Sequence, residues 1–408
     1  VALAAGHSIS DGIDGNIVGQ EPLLDVLKDN GGLTETHLLL EGSPAINTGA
    51  NPLALTNDQR GAGFPREIGS VDMGAVETDT GLAPGTWQVD STDDENDGNF
   101  SSGNLSLREA ITNAPGGAAI TFEPTVFTDP AAGTITLALG ELTINKPLAI
   151  DGDHRVTIDA GGASRIFSIN DQTSTATAVQ LSGLVLTGGA ADNGAAIWNA
   201  EQLSLSAMTL TGNSVTGNGG AIYNSSASSS IAGASILLQN STLESNAASS
   251  GGGIFNANGV TVTISDTTFG GNSASNGGAI HNSYGTASVA DSTFAGNSVN
   301  SIGGAIHSDH AATTLTNCTL SGNTSNNAGG AIYANDSTLS VRNSTIAYNR
   351  ASNQGGGISF DWGTLNITST IVGYNAAGSN QDIRTYGVTT NADHTLVALA
   401  AGHGISDG

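Results

Sequence analysis

The sequence predicts an all-β protein whose main body is a right-handed parallel β-helix, a solenoid with about 26 residues per coil. The first observation is composition: 408 residues include 57 Gly, with only 11% charged and 4% aromatic residues, which suits turns and short strands. The other two are phrases that recur with one shared period. A fixed period of about 20 to 50 residues is typical of stacked repeat architectures.

The first phrase, G-G-[AG]-I, places one Ile in each coil, with steps of 25, 32, 26, 26, 26 and 26 residues. These residues are Ile197, Ile222, Ile254, Ile280, Ile306, Ile332 and Ile358. The long step predicts a loop inserted around Ser225 to Ile231. The second phrase is a Thr followed by an apolar residue and then an Asn. Its Asn column is Asn213, Asn246, Asn272, Asn297, Asn323, Asn349 and Asn375.

Alternation inside a coil predicts short strands separated by corners. Val262 and Ile264 alternate as inward-facing strand residues should, but the apolar Phe269 lies an odd number of positions later. A corner is therefore expected between Ile264 and Phe269. In successive coils this place is held by Asn240, Asp266, Asp291, Asn317 and Asn343. Asn and Asp tolerate the left-handed backbone conformation, so we expect these residues to stack as a corner ladder.

The Gly pair before each Ile marks another corner, and we expect three strands and three bends per coil. Coils that pair in parallel stack about 4.8 Å apart, which aligns equivalent residues in columns. Parallel crossovers are almost always right-handed. The inward columns of Ile, Leu, Val and Phe then form a narrow core that needs few aromatic residues.

Two columns are predicted to face outward. The first contains Thr242, Thr268, Thr293, Thr319 and Thr345. Such an array matches ice or polysaccharide lattices in some β-helices, although Thr is also simply favoured in strands. The second, directly after the repeat Ile, contains Tyr223, Phe255, His281, His307 and Tyr333. A metal or ligand site at His281 and His307 is one interpretation, and cross-coil stacking is the one that the sequence favours.

A short N-terminal capping helix is predicted within residues 105–114, which read LSLREAITNA. Ser106 and Glu109 have the spacing of a capping box, and Leu107 and Ile111 fall on one apolar face. The exposed strand edges of a first coil invite aggregation unless they are covered. The helix is therefore expected to cover that end.

These residues also carry a resemblance to a known family. The segment from Asp97 to Ala114 resembles the bacterial CSLREA domain, in which a Cys-Ser-Leu-Arg-Glu-Ala phrase opens a right-handed β-helix. Leu105 stands where the family has Cys, and Phe100 lies near the place of the partner Cys. The resemblance thus implies an apolar contact in place of a disulfide.

A second resemblance concerns the segment from Asn30 to Glu77, which is similar to the choice-of-anchor Q domain that closes β-helices of surface proteins. In that family the closing segment follows the coils, whereas here it precedes the opening cap. Together the resemblances imply a β-helix repeat of a giant bacterial surface protein.

A long period explains this inverted order. Val1 to Gly12 and Val397 to Gly408 differ only at Ser8 and Gly404, with an offset of 396 residues, which predicts one turn of a tandem array cut at an arbitrary phase. The expected organisation is a closing segment of the preceding module (1–77), a linker (78–86), the cap and first coils (87–170), regular coils (171–396) and the start of the next period (397–408).

Charge restricts the partners. Ten Lys and Arg against 36 Asp and Glu give a net charge of −26, which argues against nucleic acid and anionic membranes. No apolar run approaches the roughly 18 residues of a membrane-spanning helix, Val1 begins without a signal-peptide pattern, and Cys318 is the single Cys. We expect a secreted or cell-surface protein without a cofactor, which neither binds nucleic acid nor inserts into a membrane.

One acidic run supplies a metal hypothesis. Asp93, Glu95 and Asp97, followed by Gly98, partly match a D-x-D-x-D-G calcium loop, but Asn104 stands where an EF-hand requires Glu. The sequence favours a solvated acidic turn, and a calcium site that stiffens the linker is the alternative.

The function favoured is a structural tandem-repeat unit of a giant extracellular fibre or cell-surface adhesin. Its expected partners are neighbouring copies, head to tail, and cell-surface glycans. The alternatives are a polysaccharide lyase or hydrolase of the pectate-lyase-like fold and a glycan- or ice-binding module. Catalysis in that fold needs clustered carboxylates and a base, whereas residues 171–408 hold 12 scattered acids and 3 bases. The sequence therefore argues against an enzyme.

Overall fold

The computed structural model describes residues 16–24, parts of 34–76, and 86–397 except 174–175, 227–233 and 258. The chain divides into two compact units, Val1–Trp87 and Gln88–Gly408. The matching chain ends, at residues 1–12 and 398–408, lie outside the described residues, as do most of the predicted linker and the predicted inserted loop.

The first unit holds the predicted closing segment. An antiparallel bridge joins Leu24 and Leu39. The Gly49 amide donates to the carbonyl of Val71 at 2.7 Å, and Leu39 and Val71 are buried together with Val76. Its described residues are therefore tied together by long-range backbone bonds around a small apolar set.

In the second unit, the predicted helix spans Leu107–Asn113. The Glu109 amide donates to Ser106 Oγ at 3.1 Å, and the Ser106 amide donates to Glu109 Oε2 at 3.1 Å. This reciprocal pair is a capping box, which satisfies amides that the first turn leaves without partners. The helix contacts the strand Leu142–Ile144 and buries its apolar face.

A buried ion pair fixes this cap to the coils. The Arg108 guanidinium lies 2.7 Å from Asp94 Oδ1 and donates to the carbonyls of Gly140 and Glu141 at 2.6 and 3.0 Å. Asp94 Oδ2 accepts the amides of Ala138 and Leu139 at 2.7 and 2.8 Å. Each charge is therefore surrounded by partners, as a buried charge requires.

The coils that follow form a parallel β-helix of about ten turns, with four columns of strands. The first column contains Leu142–Ile144, Phe167–Ile169, Ile197–Asn199, Ile222–Asn224, Ile254–Asn256, Ile280–Ser283 and Ile306–Asp309. The second contains Ala118–Phe122, Gln202–Ser206, Ser235–Gln239, Thr261–Ser265, Thr286–Ala290 and Ala312–Thr316. A further strand, Thr86–Val89, precedes the helix.

The third column contains Thr134–Thr136, Thr209–Thr211, Thr242–Glu244, Thr268–Gly270, Thr293–Ala295, Thr319–Ser321, Thr345–Ala347, Ile371–Gly373 and Leu396–Val397. The fourth contains Ala190–Ala191, Ser214–Val215, Ser273–Asn276, Ser298–Ile302, Thr324–Ser325 and Arg350–Ala351. Some strands run through a corner. Leu148–Asp159 and Ala178–Thr187 join the second and third columns, and Ile332–Arg342, Ile358–Thr368 and Ile383–Asp393 join the first and second.

Every coil pairs with the next in parallel, with equivalent residues aligned. Thr268 pairs with Thr293, which pairs with Thr319 and then Thr345. The expectation of three strands per coil was wrong. A fourth column of strands of 2 to 5 residues is present, and its mostly small and polar residues do not form an alternating apolar pattern. The fold class itself is confirmed.

The corner between the second and third strands holds the predicted ladder residues. All five have φ between 49° and 54°, the left-handed region that Asn and Asp tolerate. They are exposed, and Asn317 Nδ2 donates to Asp291 Oδ1 at 3.0 Å. The contribution of this ladder is mainly its backbone conformation.

A different Asn ladder lies inside the helix, at the corner after the third strand. It consists of Asn213, Asn246, Asn272, Asn297, Asn323, Asn349 and Asn375, which are 0 to 4% exposed. Each Nδ2 donates to the next Oδ1 at 2.9–3.0 Å, and the same Oδ1 accepts the backbone amide of the preceding Asn at 2.9–3.1 Å. The ladder ends on the carboxylate of Asp382.

A shorter ladder follows the first strand. Asn199, Asn224 and Asn256 each donate to the next Asn at 2.8–2.9 Å, and Asn282 donates to Thr313 Oγ1 at 3.0 Å. Buried backbone groups must find partners, and strand pairing does not reach those at the corners. The ladders supply them.

Replacing Asn297 with Ala tests the long ladder. The change removes partners from the amide of Asn272 and the carbonyl of Phe269, and each buried group left unpaired costs about 1–3 kcal/mol. We expect the unfolding free energy to fall by about 2–5 kcal/mol, measured by urea denaturation. The control is Asn317→Gly at the exposed corner, where Gly adopts positive φ freely, with an expected change within about 0.5 kcal/mol. Equal effects of both changes would contradict the assigned role.

Replacing Arg108 with Met tests the cap. The variant leaves Asp94 buried without its charge partner, which costs about 3–5 kcal/mol in comparable pairs. We expect faster hydrogen exchange in the strands 118–144 than in the coils after 260. The exposed Arg342→Met is the matched control, and uniform exchange along both variants would speak against a local cap.

Candidate functional site

The ring column after the repeat Ile is the first candidate site. Ring centroids of Tyr223 and Phe255 are 5.4 Å apart, those of Phe255 and His281 4.9 Å, those of His281 and His307 4.2 Å, and those of His307 and Tyr333 5.5 Å. Each ring belongs to the next coil, so the rings form one continuous stack. Such neighbours contribute to sheet stability through cross-strand contact.

The prediction that this column faces outward is wrong for its histidines. The residues His281 and His307 are only 8% and 7% exposed, while Tyr223, Phe255 and Tyr333 are half-buried. The glycine corner lies close to the backbone at these positions: a Cβ on Gly277 would lie 3.1 Å from His281 Cα, and one on Gly303 would lie 3.1 Å from the His307 amide nitrogen. Strand alternation places the side chains outside the core, and the rings of the neighbouring coils pack against them there.

Burial decides the charge of the two imidazoles. It lowers the pKa of His281 to about 3, with a smaller effect of His307 in the same direction and an opposing effect of Asp309. It lowers the pKa of His307 to about 4, again opposed by Asp309. Among the described residues, neither nitrogen of His281 nor Nδ1 of His307 has a hydrogen-bond partner. The pair is neutral and held by ring packing.

A polar cluster lies in the following coils. The Tyr333 hydroxyl donates to Asp361 Oδ2 at 2.7 Å, and Arg384 forms an ion pair with Asp361. Burial, followed by the bond to Asp361, raises the pKa of Tyr333. Burial opposes ionisation of Asp309, but bonds from Asn335 and His310 outweigh it and lower the pKa of that carboxyl. The cluster thus contains an ionised Asp309 carboxylate and a neutral Tyr333 phenol.

The corner between the first and second strands displays rings to solvent. Tyr284, His310, Asp336 and Trp362 occupy one column with φ of 54°, 50°, 44° and 58°, and Gly387 follows at 66°. Tyr284 stacks on His310 at 4.7 Å. Tyr284 and Trp362 remain 52% and 53% exposed. The rings therefore project from the surface at a corner whose conformation favours Gly.

Tyr386 lies beside these exposed rings, in the neighbouring outward column, where it pairs with Asp361 of the preceding coil. Its ring meets that of Trp362 edge to face at 5.1 Å, and the Arg384 guanidinium lies 5.6 Å from its centroid. Sequence analysis did not single out these residues. The signal was present as the position four residues after each repeat Ile, which is Tyr284, His310, Asp336 and Trp362 in successive coils.

A second exposed pair lies at the corner after the third strand. Tyr348 and Tyr374 have φ of 59° and 58°, stack at 5.5 Å and are 66% and 78% exposed. Earlier coils place Gly271, Gly296 and Gly322 at this position. Aromatic residues thus replace Gly at left-handed positions.

Stability does not explain these replacements. A non-Gly residue in the left-handed region costs about 1–2 kcal/mol, and a stacked pair of such residues carries this cost twice. The stacking of one aromatic pair contributes only about 0.5–1.5 kcal/mol. The large exposed fraction also limits the gain from burial. Strain without a structural return is a feature of binding and switching sites.

The remaining predicted residues occupy simpler positions. In the Thr column, Thr268, Thr293 and Thr319 are exposed, and the other two are half-buried. Near the cap, Asp97 Oδ1 accepts the Asn99 amide, and desolvation together with Asp97, Glu109 and Asp93 raises the pKa of Glu95. Among the described residues, no three His, Cys, Asp or Glu side chains are arranged to hold a metal ion. The calcium hypothesis stays a prediction.

Comparisons with known proteins concern the coils. Residues 207–225, 266–283, 291–309 and 317–335 match the model of the Chlamydia polymorphic membrane protein repeat. The solved structures with similarity include the crystal structure of pectate lyase Pel9A, at a TM-score of 0.38 and 13% identity over 79% of this chain and 79% of that chain. Curated proteins give no match. In the described part of the chain, no helix is long and apolar enough to span a membrane.

The histidine pair predicts a specific pH dependence. Because both imidazoles are neutral when folded and have pKa values of about 3 and about 4, only the unfolded chain takes up protons as the pH falls below about 6.5. Their contribution to stability is complete above that pH and is lost on acidification towards pH 4, by up to about 1.4 kcal/mol per pH unit for each histidine.

The double variant His281→Phe, His307→Phe should therefore show a flatter decline in urea midpoint between pH 6.5 and 4. Phe suits the column because Phe255 already belongs to it. The exposed His394→Phe serves as the control. A pH profile of the double variant that matches the unaltered chain would refute the assignment.

Proposed function

We propose that this chain is a structural repeat unit of a bacterial cell-surface protein. The observation that supports it is the in-register stacking of coils. Parallel strand pairing and two Asn ladders bond each repeated position to the equivalent position of the next coil. Such a solenoid extends in one dimension by adding coils. The match of four segments to a Chlamydia polymorphic membrane protein repeat supports location at a cell surface.

The cap supports a narrower assignment to CSLREA-type repeats. Within the resembling phrase, Ser106 and Glu109 cap the helix, and Arg108 joins it to the coils. Leu105 is buried, and its amide donates to Asp90 at 2.8 Å. A buried apolar residue at this place agrees with the proposed replacement of a Cys.

The other end of the coils supports head-to-tail assembly as part of this proposal. Among the described strands, Ile383–Asp393 pairs only with Ile358–Thr368, and Leu396–Val397 only with Ile371–Gly373, and an edge of this kind is a template for strand addition. The 396-residue period predicts that a segment like residues 13–77 comes next in the array. A contact between two different surfaces repeats into an open filament, either within one covalent array or through strand donation between chains.

This proposal assigns no catalysis and no metal. In the coil region, Arg384 is engaged by Asp361 and the carboxylates Asp309 and Asp361 hold hydrogen bonds to neighbouring side chains. A lyase instead requires a base free to take a proton from a bound sugar. Incubation with polygalacturonate, followed by a search for unsaturated products, separates the enzyme from the structural unit.

Surface location is tested on intact cells. Brief protease treatment followed by detection with antibodies to residues 171–396 should remove the signal, while a cytoplasmic marker stays intact. Loss of signal only after lysis would exclude the surface assignment.

Assembly is tested by electron microscopy of the purified chain at high concentration. We expect end-to-end particles, and deletion of residues 1–77 should abolish them if strands are donated between chains. Fibres that persist in the truncated chain, or an intact chain that stays monomeric, would leave only the covalent array.

A further inference from the structure

We propose that the rings along one corner of the helix form a binding site for an uncharged polysaccharide. The corner strip is defined as Tyr284, His310, Asp336, Trp362 and Tyr386. This site is separate from the Thr column and goes beyond a structural role. Its binding is measurable on the purified chain, whatever the outcome for surface location.

The strip is linear and continuous over adjacent coils. Strand pairing aligns Tyr284 with His310, His310 with Asp336, and Asp336 with Trp362. Coils rise about 4.8 Å each, so Tyr284 and Trp362 lie roughly 14 Å apart along the axis. A ligand that follows the strip must itself be extended, as an oligosaccharide segment is.

The rings supply platforms for sugar faces. Tyr284, Trp362 and Tyr386 are each more than half exposed, and the first two are held in a backbone conformation that disfavours them. Exposed apolar surface rimmed by polar groups marks a ligand-binding region. The C–H faces of pyranose rings are apolar and flat, and they suit such platforms.

Polar groups between the rings supply directional contacts. The Asp336 side chain is 63% exposed and lies 3.6 Å from His310 Nε2. Its carboxylate keeps accepting capacity for sugar hydroxyls. Arg384 lies over Tyr386 and is paired with Asp361, which in turn accepts the Tyr333 hydroxyl. This network holds the ring of Tyr386 from below.

Charge selects the class of glycan. Asp309, Asp336 and Asp361 outnumber Arg384, which is already neutralised by Asp361, and the whole chain carries a net charge of −26. Uronic acid polymers would meet like charge at the strip, which disfavours association. Neutral hexose polymers meet no such cost, and carboxylates accept hydrogen bonds from their hydroxyls.

The test is affinity electrophoresis of the full chain in gels that contain one soluble polysaccharide each. The neutral probes are dextran, galactomannan, xyloglucan and hydroxyethyl cellulose, and the anionic probes are polygalacturonate and alginate. We expect retardation by at least one neutral probe and none by the anionic probes. Retardation by no neutral probe, or by anionic probes alone, overturns the proposal.

The variant Trp362→Gly distinguishes binding from structure. Gly is unstrained at φ of 58°, so the thermal midpoint should stay equal or rise, while affinity should fall roughly tenfold or more, as for a central aromatic contact. The matched control is His394→Gly, which removes an exposed ring from another left-handed corner, at φ of 46°, and should leave retardation unchanged. Full retardation of the Trp362 variant, or equal loss in both variants, overturns the assignment to this strip.

Discussion

The constraint on which the structure depends is the pairing of every coil with the next in one register. Strand hydrogen bonds meet this requirement along the straight segments, but the buried corners lie outside their reach. The Asn297 side chain shows the solution, since its oxygen accepts both the amide and the side chain of Asn272 while its nitrogen donates to Asn323 and to the Phe269 carbonyl. Because no other side chain of this size both donates and accepts in this geometry, the corner after the third strand repeats Asn.

The same constraint leaves other corners open to variation. A corner at positive φ whose side chain points to solvent requires only a residue that can adopt the left-handed backbone conformation. Gly, Asn, Asp, Ser, Tyr and Trp occupy such corners. Variation therefore concentrates where packing does not select the residue. In β-helices this means that a binding surface can change without disturbing the stack, which is the general separation of function from fold.

The histidine pair shows how the stack and the corners interact. His281 and His307 follow the alternation of a strand, yet both are buried, and both nitrogens of His281 and Nδ1 of His307 are withdrawn from solvent. They are thereby neutral members of a ring column rather than ligands. The two histidines lower the stability of the fold only on acidification, because the unfolded chain then binds protons that the folded chain does not bind.

Sequence alone determined the period, the inward columns, the capping box and the left-handed corner at Asn240 to Asn343, because each is a local rule repeated many times: alternation, spacing or backbone tolerance. Tertiary structure decided which columns are covered. The burial of His281, the role of Asn297 and the alignment of Trp362 with Tyr284 depend on which residues the adjacent coils bring alongside. Side-chain alternation gives the face of a strand, but only the path of the neighbouring chain shows whether that face meets water.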